Sequence, residues 1–173
     1  MICQQKIFTK EECEKIISYS KEIKDTYDSL KEKIPKVNYF SYNIKNNETY
    51  NWVFERILQF FCTTTKLKIN KYPNTIHLHR YNTNCSFAKH HDKNYPNRIW
   101  NVGVQLNNDY IGGDLNLYYD EKTTVAKDIG NSYIFEPEIF HEVTNIESGT
   151  RWSLILFLTY ENICDDYNNK TLF

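Results

Sequence analysis

A chain of 173 residues is long enough to bury one substantial core. Its formal net charge of −1 excludes the strong field that recruits nucleic acid or an anionic membrane surface. The longest apolar run, "LILFL", is far too short to span a bilayer, and the opening "MICQQKIFTKEE" lacks the basic-then-apolar build of a secretory signal. Cys3, Cys13, Cys62, Cys85 and Cys164 form an odd, scattered set with no C-x-x-C pair. Such a set fits reduced thiols and a cytoplasmic protein better than a disulfide framework or a thiolate zinc site.

In chain order, "FTKEECEKIISYSKEI" opens with a capping box, Thr9 with Glu12, and predicts a helix. Cys13, Ile16, Ile17, Ser20 and Ile23 line one face of it, and the charged "KDTYDSLKEKIPK" extends it until Pro35. A second helix is predicted over "ETYNWVFERILQFFCTT", capped by Asn46 or Asn47, with Trp52, Val53, Ile57, Phe60 and Phe61 turned inward. Both read as scaffold.

After Lys66 the pattern shortens to β-rich runs: "KLKI", "TIHLHRY", "SFAKHHD", "RIWNVGVQL", "DLNLYY", "TTVAKDI", "SYIFEP", "FHEVTNI" and "RWSLILFLTY". Turn signals at Tyr72-Pro73-Asn74, Tyr95-Pro96-Asn97, Gly112-Gly113 and Ser148-Gly149 separate them. About eight strands at this spacing indicate a sandwich or barrel. The expectation is one domain over residues 1–173, with helical support at about 8–65, a barrel at about 66–161 and a short C-terminal tail. Trp100 and Trp152 read as structural.

The chemistry concentrates in "FAKHHDKN", residues 87–94. On a strand, positions i and i+2 share a face, so His90 and Asp92 project together and His91 points away. A third ligand has to come from elsewhere, and His141 is the one histidine downstream. Two histidines and one carboxylate make the facial triad of non-haem Fe(II) oxygenases, which leaves metal positions open; a structural zinc site is closed by four ligands. His77 and His79 also alternate on one strand face and offer a competing, cupin-like histidine cluster with His90. Arg151 opens the last strong strand and shares a face with Ser153, Ile155 and Phe157. An arginine entering a barrel needs an anion, and a dicarboxylate co-substrate supplies one. Arg80 and Arg98 read as solvated surface residues that can reach a substrate.

The stretches "RYNTNCSFAKHHD", "NVGVQLNNDYIGGDLNLY" and "FEPEIFHEVTNIESGTRWSL" resemble the 2-oxoglutarate/Fe(II)-dependent dioxygenases of the prolyl 4-hydroxylase-like group. They match that family's R-Y-x-x-G…H-x-D, L-N-x-x-Y-x-G-G-x-L and F-x-P…H-x-V…G-x-R-x-S signatures over about residues 76–158. "FTKEECEKII" is similar to its opening helix. The resemblance implies a mainly β fold with flanking helices, a double-stranded β-helix (jelly-roll or cupin-like) barrel supported by two N-terminal helices. It implies His90, Asp92 and His141 as Fe(II) ligands, Arg151 as the 2-oxoglutarate anchor, and Tyr81 and Ser153 beside the co-substrate.

It further implies hydroxylation of a C–H bond with O2, on a protein or peptide side chain or a free amino acid, releasing succinate and CO2, with ascorbate as an accessory reductant. The carboxylate at Asp92 favours hydroxylation over halogenation. Three features depart from the family pattern. Asn84 replaces a glycine, Gln105 stands where relatives often place an aromatic residue near the co-substrate, and "KNYPNR" is a short link where peptide-clasping relatives have a long one. A nucleic-acid demethylase of the same superfamily is one alternative, weakened by Phe157 where that subgroup carries a second arginine. A non-catalytic metal-binding barrel is the other. Oligomeric state is not encoded in any motif.

Overall fold

A computed structural model describes residues 3–22, 39–95 and 97–163. The expected run of the first helix past Lys24 to Pro35, its face residue Ile23, Pro96, Cys164 and the C-terminal tail lie outside the described residues.

The chain begins with strand β1 (Cys3–Lys6) and helix α1 (Lys10–Ser18), which continues as a 3-10 turn over Tyr19–Lys21. The capping box forms as expected: Glu12 N–H donates to Thr9 Oγ1 at 3.2 Å and Thr9 N–H to Glu12 Oε2 at 2.9 Å. Strand β2 (Phe40–Lys45) precedes helix α2 (Asn51–Thr65). That helix starts later than the sequence suggested. Asn47 does not cap it; its Oδ1 accepts from the N–H groups of Thr49 and Tyr50 and shapes a turn ahead of the helix. Arg56 of α2 ties the two helical segments by donating to the Ile7 carbonyl and pairing with Glu12 at 3.1 Å.

Ten strands follow: β3 (Thr75–Tyr81), β4 (Phe87–His90), β5 (Arg98–Gln105), β6 (Ile111–Gly112), β7 (Leu115–Tyr118), β8 (Lys122–Thr124), β9 (Asn131–Phe135), β10 (Phe140–Val143), β11 (Ile146–Ser148) and β12 (Arg151–Thr159). They form a six-stranded sheet in the order β1-β9-β5-β12-β3-β2, a four-stranded sheet β4-β10-β7-β8, and the small pair β11-β6. Every pairing among the described residues is antiparallel. Of the predicted runs, "KLKI" contributes only a bridge from Ile69 to Ile163, and "FHEVTNI" breaks into two strands. The division into helical support and barrel at residue 66 is also corrected, because β1 and β2 both belong to the large sheet.

Alternation along the strands divides the molecule into two buried clusters. Leu154, Leu156 and Leu158 of β12, with Ile76 and Leu78 of β3, meet Val53, Phe54, Ile57 and Phe61 of α2. Trp100 joins this cluster edge-on to Phe61, and Trp152 stacks on Tyr42, so both are structural as expected. The opposite face of β12 and β3 looks toward the four-stranded sheet and carries Tyr81, Arg151 and Ser153. Tyr81, Leu117, Tyr133, Phe135 and Ile146 form the second cluster there. No helix among the described residues is long and apolar enough to cross a membrane.

Candidate metal centre and its cavity

The register of the four-stranded sheet sets His90 of β4 directly opposite His141 of β10, with ring centroids 4.2 Å apart. Each imidazole is oriented by its own backbone. His90 Nδ1 lies 2.8 Å from the Ala88 carbonyl and His141 Nδ1 lies 2.9 Å from the Ile139 carbonyl. A carbonyl only accepts, so both Nδ1 atoms carry a proton, and Nε2 is the atom each ring turns toward the centre. Burial, then the neighbouring His90, pushes the His141 pKa down to about 4, which keeps it neutral and competent as a ligand.

Asp92 completes the group, though not by the strand alternation expected for it. Strand β4 ends at His90, and Asp92 lies in the bend beyond, where its N–H donates to the Pro137 carbonyl at 2.8 Å. This tie folds the carboxylate back between the imidazoles, with Oδ1 3.8 Å from His90 Nε2 and Oδ2 3.9 Å from His141 Nε2. The three donor atoms lie within 4.8 Å of one another, and among the described residues no other His/Cys/Asp/Glu cluster does so. Two imidazoles and one buried carboxylate suit a divalent transition metal with positions to spare.

His77 and His79, the competing pair, are not in this group. They face the same cavity from β3, His77 against Phe157 at 5.2 Å and His79 against Tyr39 at 4.5 Å. His91 points the other way and meets Phe140 edge-on.

Asp92 is held by two side chains on β5. Asn101 Nδ2 donates to Oδ2 at 2.9 Å, and Arg98 Nη1 pairs with the same oxygen at 2.8 Å. Arg98 is therefore no surface residue: its side chain is 13% exposed, with its guanidinium carbon 3.4 Å from the Phe157 ring centroid and 4.3 Å from that of Tyr95. Its charge found a buried carboxylate and two rings, which outweighed its tendency to solvate. Asn101 escaped the sequence reading, although a polar residue within "RIWNVGVQ", whose described residues are almost all buried, was an available signal.

A cavity of about 290 Å³ runs between the sheets, lined by His90, Asp92, Arg98, His141 and Arg151 among others. Arg151 is 2% exposed and sits opposite Tyr81 in the β12–β3 pairing. Its Nη1 donates to Ser153 Oγ at 2.8 Å, while its Nε is buried without a partner among the described residues. Burial works against this charge, but the phenols of Tyr133, Tyr110 and Tyr81 more than offset it and raise the pKa above its ordinary value. A buried, permanently charged guanidinium with an unsatisfied N–H and no carboxylate within ion-pair distance among the described residues is a site built for an anion.

Gln105 does not line the cavity; it donates to the Asn107 carbonyl and to Tyr110 Oη. Tyr133 reaches the cavity instead, its ring folded over Gly103. Tyr39 and Ser41 line the wall from β2 and its approach; they went unread because that strand did.

The sequence of residues 76–159 matches the 2OG-Fe(II) oxygenase superfamily. No curated protein matches the sequence. Among solved structures, a 2OG-Fe(II) oxygenase family oxidoreductase from Burkholderia pseudomallei aligns with a TM-score of 0.73 at 14% identity, covering 94% of this chain and 87% of its own. A prolyl-4-hydroxylase from Pseudomonas putida aligns at 0.70 and 15% identity, covering 91% of each chain. A prolyl hydroxylase from Trichoplax adhaerens, solved with a hypoxia inducible factor peptide fragment, aligns at 0.73 and 14% identity, covering 99% of this chain and 87% of its own. Likeness at these identities establishes a shared double-stranded β-helix fold.

Proposed function

We propose that the chain belongs, through residues 76–159, to the 2OG-Fe(II) oxygenase superfamily and hydroxylates a C–H bond of a protein side chain or amino acid, with His90, Asp92 and His141 holding the metal. The enzyme class is a dioxygenase that uses Fe(II), 2-oxoglutarate and O2. Iron, when bound, supplies the redox chemistry that couples decarboxylation of 2-oxoglutarate to insertion of one oxygen atom into a C–H bond.

The chain's own residues have separate tasks. His90 and His141 offer Nε2, each ring oriented by its Nδ1–H bond to backbone, and Asp92 contributes the negative charge. Asn101 and Arg98 hold one Asp92 oxygen, which limits how the carboxylate can turn. Arg151 takes the distal carboxylate of 2-oxoglutarate, assisted by Ser153, with the Tyr81 ring below the guanidinium at 5.4 Å. Tyr81, Tyr133 and Phe135 close the deep end of the cavity against water. The Trichoplax relative is solved with a peptide, which supports a peptide as the substrate class. Free thiols at Cys3, Cys13, Cys62 and Cys85 support an intracellular setting.

The single observation that carries this reading is the cavity that joins the His90–Asp92–His141 group to the unpaired N–H of a buried Arg151. Its test is binding and turnover together. Arg151→Gln should weaken 2-oxoglutarate binding at least a hundredfold while Mn(II) binding holds; Asp92→Ala should lose the metal. Wild-type protein with Fe(II), 2-oxoglutarate and host extract should release succinate and yield a product heavier by one oxygen. Unchanged 2-oxoglutarate affinity in Arg151→Gln would refute the assignment.

A further inference from the structure

The cavity has a second cation, and nothing in the assignment above occupies its free edge. Arg98 and Arg151 both line the cavity, Arg98 against Phe157 and Arg151 opposite Tyr81. Phe157, which lies against Arg98, is six positions from Arg151 on β12, roughly 20 Å of strand. The candidate metal ligands lie beside Arg98, so the Arg151 end takes the co-substrate and the Arg98 end faces what remains of the space.

Arg98 is constrained in what it can do. The ring centroids of Phe157 and Tyr95 lie 3.4 and 4.3 Å from its guanidinium carbon, and a guanidinium donates its hydrogen bonds in its own plane. Nη1 is used by Asp92 Oδ2. Its other side-chain N–H groups have no protein partner among the described residues, and the side chain opens on the cavity. A planar fork with one edge anchored and the other open matches a carboxylate in both geometry and sign.

Charge balance points the same way. The cavity wall brings one carboxylate, Asp92, against two guanidiniums. Iron's double positive charge and 2-oxoglutarate's double negative charge cancel. An imidazole bound to a metal is neutral, so the loaded cavity keeps a net positive charge, which is costly inside a fold. His77, facing Arg98 from β3, adds none: burial first, then Arg98, holds it neutral. A cationic side chain entering here would meet Arg98 with no free acid; an anionic group would close the balance.

We propose that the open edge of Arg98, braced by Tyr95 and Phe157, is the docking point for a carboxylate on the substrate, so that the substrate is an acid and not a cation or a capped neutral group. This rests on the oxygenase reading of the same cavity.

The test uses full-length protein loaded with Mn(II) and 2-oxoglutarate without oxygen, titrated with a panel of N-acetyl amino acids, each as the free acid and as its primary amide. Water-proton relaxation at Mn(II) reports binding without turnover. The tightest ligand should be a free acid, held at least about tenfold more tightly than its own amide. In Arg98→Gln loaded with Mn(II) that preference should fall below about twofold. Arg98→Lys, which keeps the charge beside Asp92 but loses the fork, should retain the metal and lose most of the preference, covering the case in which Arg98→Gln cannot hold it. Equal binding of acid and amide, a preference that survives both variants, or no acid binding below about 10 mM each overturns the proposal. Failure of wild-type protein to bind Mn(II) with 2-oxoglutarate, or indifference of that binding to Arg151→Gln, refutes instead the oxygenase reading beneath it.

Discussion

His77 shows how much a single side chain's setting decides. It faces the cavity beside Phe157 and His79, near Arg98 of β5 and Lys45 of β2. Burial, then those two cations, pushes its pKa from an ordinary 6.5 down to about 4. Below pH 6.5 the unfolded chain takes up a proton that folded His77 refuses, so stability falls as pH drops toward 4 and, on this account, no further. The loss reaches at most about 3 kcal/mol. His141 and His79 are shifted in the same direction and add to the slope. His77→Asn should therefore flatten, without abolishing, the fall in urea midpoint between pH 6.5 and 4.5; a slope equal to wild type would show that His77 is solvated. At this scale the sequence was legible where chemistry constrains spacing. His90, Asp92, His141 and Arg151 stood out because their types and order fit one task. Arg98 did not, because an arginine's preference for solvent is overturned only by partners that meet it in three dimensions.

Gly103 and Tyr133 act at the scale of paired elements. They are opposite each other in the β5–β9 ladder, and Tyr133 lies back across the bare backbone of Gly103. A Cβ on residue 103 would fall on the Tyr133 ring, so a side chain there must displace the phenol. Gly103→Ala should cost about 1–3 kcal/mol by urea unfolding and also weaken 2-oxoglutarate binding, because Tyr133 borders Arg151. Unfolding that shifts with no change in 2-oxoglutarate affinity would confine Tyr133 to a packing role. Elements were legible where periodicity was strong: α1, α2, β3, β5 and β12 all read from their apolar spacing. Strand β1 was not, since "CQQK" has no alternation and is recruited only by pairing with β9. Strand β2 does alternate, with Tyr42 and Ile44 buried, but it precedes a helix and sits at the sheet edge, so only its partner β3 reveals it. The cost of missing β2 was functional, because Tyr39 and Ser41 came with it.

For the whole molecule, the candidate site is also a junction. His90 and His141 belong to the four-stranded sheet, while Asp92 is gripped by Arg98 and Asn101 of the six-stranded one. A metal held by all three side chains would bind only the state in which the sheets are docked, because the unfolded chain does not assemble the triad. Ligand that binds only the folded state stabilises it by RT ln(1 + [L]/Kd), about 2.7 kcal/mol at a hundredfold excess over Kd. For a chain of this length, each kcal/mol moves the melting temperature by about 2–4 °C. Saturating Mn(II) should accordingly raise Tm by roughly 5–10 °C. EDTA should reverse the gain, and 2-oxoglutarate added with the metal should raise Tm further. Asp92→Ala should melt at the same temperature with and without Mn(II), and Arg151→Gln should keep the metal's increment while losing that of 2-oxoglutarate. A wild-type Tm indifferent to Mn(II) at millimolar concentration would mean that the two sheets meet without a metal site between them, and the separation of the two increments identifies which end of the cavity each ligand occupies.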